Sequence, residues 1–147
     1  MDQIKYDMRI IYAILGSRIS YQLNNRFKHN FDIYDVNLNP DMWMVLMTLW
    51  EKDGLTQQEL CNVTLKDRPT MSRLIDSMVK MDLVVRRDTE EDQRAKRIWL
   101  TNYGKRIEGK ARFVGNKTLK EALRGLSQEE LNTCQETLRI IFNNSKL

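Results

Sequence analysis

A chain of 147 residues, 41% hydrophobic and 30% charged, carries enough apolar material for one core and too much for a disordered segment. No apolar run nears the roughly 20 residues that cross a bilayer. The start, Met1-Asp2-Gln3-Ile4-Lys5-Tyr6-Asp7, lacks the basic and apolar regions of a signal peptide, and Cys61 and Cys134 lie too far apart for a Cys-x-x-Cys site. A membrane protein, a disulfide framework and a cysteine-rich metal site are thereby excluded, so the expected place is the cytoplasm, without cofactor or metal. Both cysteines read as small buried hydrophobes. The net charge of +4 is unevenly placed: from Lys66 to Arg112 there are 13 Lys or Arg against 8 Asp or Glu, and elsewhere 11 against 12. A local basic surplus suits a polyanion, because each phosphate contact releases condensed counterions; an acidic membrane or a merely solvated face are the competing readings.

Ile4, Met8, Ile11, Leu15, Ile19, Leu23 and Phe27 recur at three-and-four spacing and predict a long helix with one apolar stripe. In so small a protein such a stripe packs either on the chain's own core or on a second copy. Asn39-Pro40 supplies a cap and a first-turn proline for a helix at 41–52 carrying Trp43, Leu46, Met47 and Trp50, stopped at Asp53-Gly54. Thr56-Gln57-Gln58-Glu59 is a capping box, predicting a helix at 56–64 that turns Leu60 and Val63 inward. After Lys66-Asp67-Arg68-Pro69 comes a helix at 68–81, with Met71, Leu74, Ile75, Met78 and Val79 on one face. Two β-rich runs, Leu83-Val84-Val85-Arg86-Arg87 and Ile98-Trp99-Leu100, flank a charged loop and predict a hairpin. Thr101 caps a helix running past Gly115 to about Gly125, and Ser127-Gln128-Glu129-Glu130 opens a last amphipathic helix through Leu131, Cys134, Leu138, Ile141 and Phe142.

The order of three short helices and a hairpin is that of a winged helix-turn-helix. In such a unit the second of the two helices joined by a tight turn enters the major groove. Arg68, Thr70, Ser72 and Arg73 stand in the first turn and a half of that helix. Arginine suits guanine O6 and N7, while hydroxyls take a base or a phosphate.

Pro69-Thr70-Met71-Ser72-Arg73-Leu74-Ile75-Asp76-Ser77-Met78, Leu83-Val84-Val85-Arg86-Arg87, Asp92-Gln93-Arg94-Ala95-Lys96-Arg97 and Leu100-Thr101-Asn102-Tyr103-Gly104 follow in fixed order. This series resembles the recognition helix, wing entry, D-x-R wing motif and "LTxxG" exit of the multiple antibiotic resistance regulators, the MarR family. The resemblance implies a mainly α fold with a small β-hairpin wing. Residues 1–147 would form a single protomer, with 38–100 as the DNA-binding part and 3–29 and 101–145 as helical dimerisation parts. It further implies a homodimer on double-stranded DNA, acting as a sequence-specific regulator, most commonly a repressor, at a near-palindromic operator. Arg94 would enter the minor groove while Asp92 shapes the wing; Arg86, Arg87, Lys96 and Arg97 would touch phosphates. A small aromatic or anionic effector could bind beside Tyr12, Trp43 and Trp50, although aromatics at helical spacing are more often core.

One departure stands at Lys80-Met81-Asp82-Leu83, where the family has glycine; Asp82 is the residue expected to take a left-handed cap there. No catalytic motif is present, and the single histidine, His29, reads as a helix-end surface residue, so an enzyme is not expected. Neither cysteine lies in the first helix, which disfavours peroxide sensing. The alternative use of this fold is a protein or nucleoprotein assembly module whose basic face docks an acidic partner; the polar first turn at Arg68 to Arg73 favours DNA.

Overall fold

The computed structural model describes residues 7, 9, 14–89 and 96–147. The chain is mainly helical with one small antiparallel sheet. A π-helical turn, Ile14–Arg18, leads without a cap into α1, Ile19–Ile33. Of the predicted stripe, Ile4, Met8 and Ile11 lie outside the described residues; Phe27 is buried, Leu23 packs against the core, and Ile19 is exposed. Helix α1 runs beyond the expected end, which places the exposed His29 within it rather than at its terminus. It stops where Asp35 turns left-handed, at φ 50°.

Helix α2, Pro40–Glu51, begins as expected: the Asn39 side chain accepts from the Met42 amide at 2.8 Å and Pro40 fills a position that needs no N–H. Met42, Trp43, Val45, Leu46 and Leu49 are buried, making this the central helix of the core. Trp43 lies against Phe27, with ring centroids 4.9 Å apart.

Strand β1, Leu55–Thr56, has only two residues, and the Thr56 capping box then opens α3, Gln57–Thr64. Glu59 Oε2 accepts from the Thr56 amide at 2.7 Å, and that bond holds its carboxyl below the usual range. Leu60 and Cys61 are buried, but Val63 is exposed, contrary to expectation. On so short a helix only one narrow face meets the core, and positions 60 and 61 occupy it. Leu65 ends α3 in the left-handed region, at φ 56°. Asp67 then caps α4, Arg68–Lys80, accepting from the Thr70 amide at 2.7 Å. Met71, Ile75 and Met78 are its buried face; Leu74 is only partly covered and Val79 is exposed.

Strands β2, Val84–Asp88, and β3, Lys96–Leu100, pair antiparallel as predicted, and β1 adds itself to the far edge of β3, giving the order β1-β3-β2. Val84 pairs with Leu100 and Arg86 with Ile98, so the hairpin's inner face sits over α4 and α2. Asp82 takes the left-handed conformation at φ 57°.

The expected single helix after Thr101 is two: α5, Asn102–Arg106, and α6, Glu108–Ala122, with the break at Ile107. Buried Asn30 on α1 donates to Thr118 Oγ1 at 2.9 Å and to Glu121 Oε2 at 3.0 Å on α6, fastening these two helices. Helix α7, Gln128–Asn144, keeps its Ser127 capping box yet buries none of its residues. Cys134 on it is exposed rather than buried, in keeping with a helix none of whose residues is buried. Among the described residues no helix is long and apolar enough to cross a membrane.

Candidate nucleic-acid interface

Helix α4 turns its buried face, Met71, Ile75 and Met78, onto the core, which leaves Pro69, Arg73, Ser77 and Lys80 exposed on the opposite side. Arg73 lies at the centre of that outer face and Thr70 and Ser72 are half-buried on its flanks. Arg68 is exposed at the start and its Nε donates to Gln58 Oε1 on α3 at 2.6 Å, which bridges the two helices of the turn. Lys66 reaches back to Asp41 on α2, Nζ to Oδ1 2.8 Å. The N-terminus of α4 is thus held from two sides while its outer face stays open to solvent. The Thr70 amide and hydroxyl bonded to Asp67, with Arg73 and Lys66 nearby, keep the Asp67 carboxyl below its ordinary range, so the cap stays ionised.

In the wing, the four basic residues expected at phosphates divide into two kinds. Arg87 and Lys96 are exposed, and neither forms an ion pair with a described residue. Arg86 and Arg97 are different, since each also contacts the protein itself. Arg86 Nη1 lies 2.6 Å from Asp76 Oδ1 and its Nη2 donates to the Ser72 carbonyl at 3.3 Å. Arg97 donates to the Gly54 carbonyl at 2.8 Å and sits 3.8 Å from Glu59, tying β3 to the start of β1 and α3. Both side chains thus help to hold the wing on the protein's own frame. Asp92 and Arg94 lie outside the described residues.

Sequence reasoning passed over Asp76 and Gln58, the partners of Arg86 and Arg68. The spacing of Ser72 and Asp76, one helical turn apart on one side of α4, was the available signal.

Of the aromatics proposed for an effector, Tyr12 lies outside the described residues. Trp43 is buried between Phe27 and Gly115, and its Nε1 has no hydrogen-bond partner among the described residues. Trp50 donates to the Gly104 carbonyl at 3.0 Å with the Arg112 guanidinium 5.4 Å from its ring centroid. Both act as packing between the core and α5 and α6. An apolar hollow of about 410 Å³ lies elsewhere, between the Ile14–Arg18 turn, α1 and α6, lined by Ile19, Leu23, Leu119 and Leu123 together with Arg18 and Arg26.

Comparison with known proteins agrees with this geometry. Residues 36–95 match the model of the MarR family. The HTH-type transcriptional regulator YybA of Bacillus subtilis is 24% identical over 115 residues, covering 78% of this chain and 77% of that protein. The transcriptional regulator HosA of Escherichia coli is 25% identical over 133 residues, 88% of this chain and 98% of its own. The fold is shared with the crystal structure of the S. aureus MepR–DNA complex, at a TM-score of 0.80 and 19% identity, covering 97% of this chain and all of the other. These relatives are regulators of transcription rather than enzymes. The matched segment holds the winged helix-turn-helix, and in sequence and fold the chain is similar to MarR-family transcriptional regulators.

Proposed function

We propose that the protein is a repressor that binds a near-palindromic DNA operator as a homodimer, each protomer setting α4 into the major groove with its wing alongside. The observation that carries this reading is the outer face of α4: Arg73 at its centre, Thr70 on its flank and Arg68 at its start, on a helix held from both sides at that end. Arginine there suits guanine, and exposed Arg87 and Lys96 on the wing suit phosphates, which set register without choosing sequence. Asp92 and Arg94 complete the wing's part, with the arginine in the minor groove. The basic surplus lies in the same stretch of chain, and the structural likeness to a protein solved on DNA supports the same use.

Dimerisation rests on α7, which buries nothing yet exposes Leu138, Ile140 and Phe142, and on Ile19 of α1 and Leu123 and Leu126 beside it. Apolar area of this extent on a chain this small needs a cover, and a second copy supplies the matching helices. Two protomers then present their α4 helices to half-sites about one helical turn, roughly 34–36 Å, apart.

Fluorescence anisotropy with the duplex upstream of the protein's own gene, against a scrambled duplex at physiological salt, tests the proposal. A preference of about a thousandfold at two chains per site supports it. Equal binding to both duplexes that disappears with salt refutes it and favours a basic module for an acidic protein partner.

A further inference from the structure

We infer that Arg86 is a positioning residue: it fixes the angle between the recognition helix and the wing, and through that angle sets how well the protein tells its operator from other DNA. This rests on the DNA-binding reading above and assigns Arg86 a role different from a phosphate contact. Arg86 pairs with Ile98 across the hairpin, and Ile98 is fully buried, so this position belongs to the inner face of the wing. Its side chain is only 24% exposed. Two nitrogens of one guanidinium hold two points of α4 a single turn apart, the Asp76 carboxylate at 2.6 Å and the Ser72 carbonyl at 3.3 Å.

The place of the clamp matters as much as its strength. The chain passes from helix to wing through Met81-Asp82-Leu83, where the Leu83 amide returns to the Met78 carbonyl at 2.9 Å. That turn fixes the C-terminal end of α4 to the base of the hairpin. Arg86 makes its contacts at Ser72 and Asp76, next to Arg73 and toward the end that faces the bases. Apolar packing between α4 and the hairpin keeps them together but is non-directional, whereas a guanidinium held at two points fixes their relative angle. Base contacts need side chains placed to a fraction of an ångström, while phosphate contacts by long flexible lysines and arginines tolerate movement.

Asp76 gives the test its leverage. It is a carboxylate on the exposed side of a helix meant to face DNA, 53% exposed. On charge alone, Asp76→Asn should tighten binding to every duplex; as a clamp partner, its loss should erode selectivity. Wild type, Arg86→Ala, Asp76→Asn, the double variant and Arg87→Ala are compared by anisotropy on operator and scrambled duplexes across a salt series, with circular dichroism confirming that each is folded. The expected result is a fall of about tenfold in the operator-to-scrambled ratio for Arg86→Ala and Asp76→Asn, the double variant no worse than the worse single one, and an unchanged salt slope. Arg87→Ala should instead keep the ratio and lower the slope by about 1. If wild type prefers the operator but Arg86→Ala keeps that preference and lowers the slope as Arg87→Ala does, the clamp is wrong and the DNA reading stands. If wild type shows no preference, the DNA reading falls and the clamp's role with it.

Discussion

Gly115 sits in the interior of α6 with helical backbone, where alanine is ordinarily better than glycine by about 1 kcal/mol. A Cβ built there would meet the ring of Trp43, falling inside contact with Cζ2 and standing 2.8 Å from Cε2 and 3.1 Å from Nε1, against an ordinary carbon contact of about 3.5 Å. The indole has little room to retreat, because Phe27 lies 4.9 Å and Phe31 6.5 Å from it, centroid to centroid, and both are buried. Overpacking of this kind costs about 1–3 kcal/mol. With Cζ2 this far inside contact the cost falls in the upper part of that range, about 2–3 kcal/mol, so less the propensity gain Gly115→Ala should destabilise by about 1–2 kcal/mol, or roughly 2–8 °C in Tm for a chain of this size. Gly109, in the same helix, has nothing within 4 Å of the added carbon, and Gly109→Ala should stabilise by about 0.4–1 kcal/mol. Urea unfolding followed by far-UV circular dichroism, at one protein concentration, measures both. A Gly115→Ala protein as stable as wild type would refute the claim that Trp43 is held rigidly between α1 and α6.

Arg73→Ala should lower operator affinity by about 1–3 kcal/mol, with little effect on scrambled DNA, whereas Lys96→Ala should weaken both duplexes alike and reduce the salt slope by about 1; anisotropy on the two duplexes separates them. The Asn30 amide, aided by Lys117 and Arg26, holds the Glu121 carboxyl down from 4.5 to about 2. A depressed carboxyl stabilises the fold above its unfolded pKa and loses that effect as pH falls through the folded one, so the Tm advantage of wild type over Glu121→Gln should shrink from pH 4.5 toward 2; a constant difference would contradict it. Leu65 is 70% exposed in a left-handed conformation, so Leu65→Gly should raise stability by about 0.5–1 kcal/mol in a thermal melt.

The features legible in the sequence were those decided within a few residues. The Thr56 and Ser127 capping boxes, the Asn39-Pro40 start and the left-handed Asp82 depend on local backbone needs, and each stands where its residues indicated. What was hidden depended on distant partners. Two residues of β1 carry no periodicity, and their strand exists only because β3 offers Ile98 and Arg97 to pair with. Val63 and Cys134 are hydrophobes by type, but burial needs a surface to be buried against, and neither helix offers one at those positions. The break at Ile107 lies between Gly104 and Gly109, yet neither glycine stands at the break itself, and a glycine inside a helical run does not by itself say that the helix divides. In the wing, residue type left two readings open, since arginine serves a phosphate or a carboxylate. Strand alternation pointed to the inner contact for Arg86, which shares its parity with buried Val84.

The two ends of the wing are sealed to each other. The Thr101 amide donates to the Leu83 carbonyl at 3.1 Å, its hydroxyl bonds the Asp82 carbonyl, and Gly104 is pressed so close to the Leu83 carbonyl that no side chain fits. The hairpin therefore behaves as a closed cassette mounted on the helices. With closure secured at the base, lengthening the segment between Asp88 and Lys96 costs only about 0.6 kcal/mol per doubling. Such a mount lets the reach of the wing change by insertion or deletion while α4 keeps its place on the core.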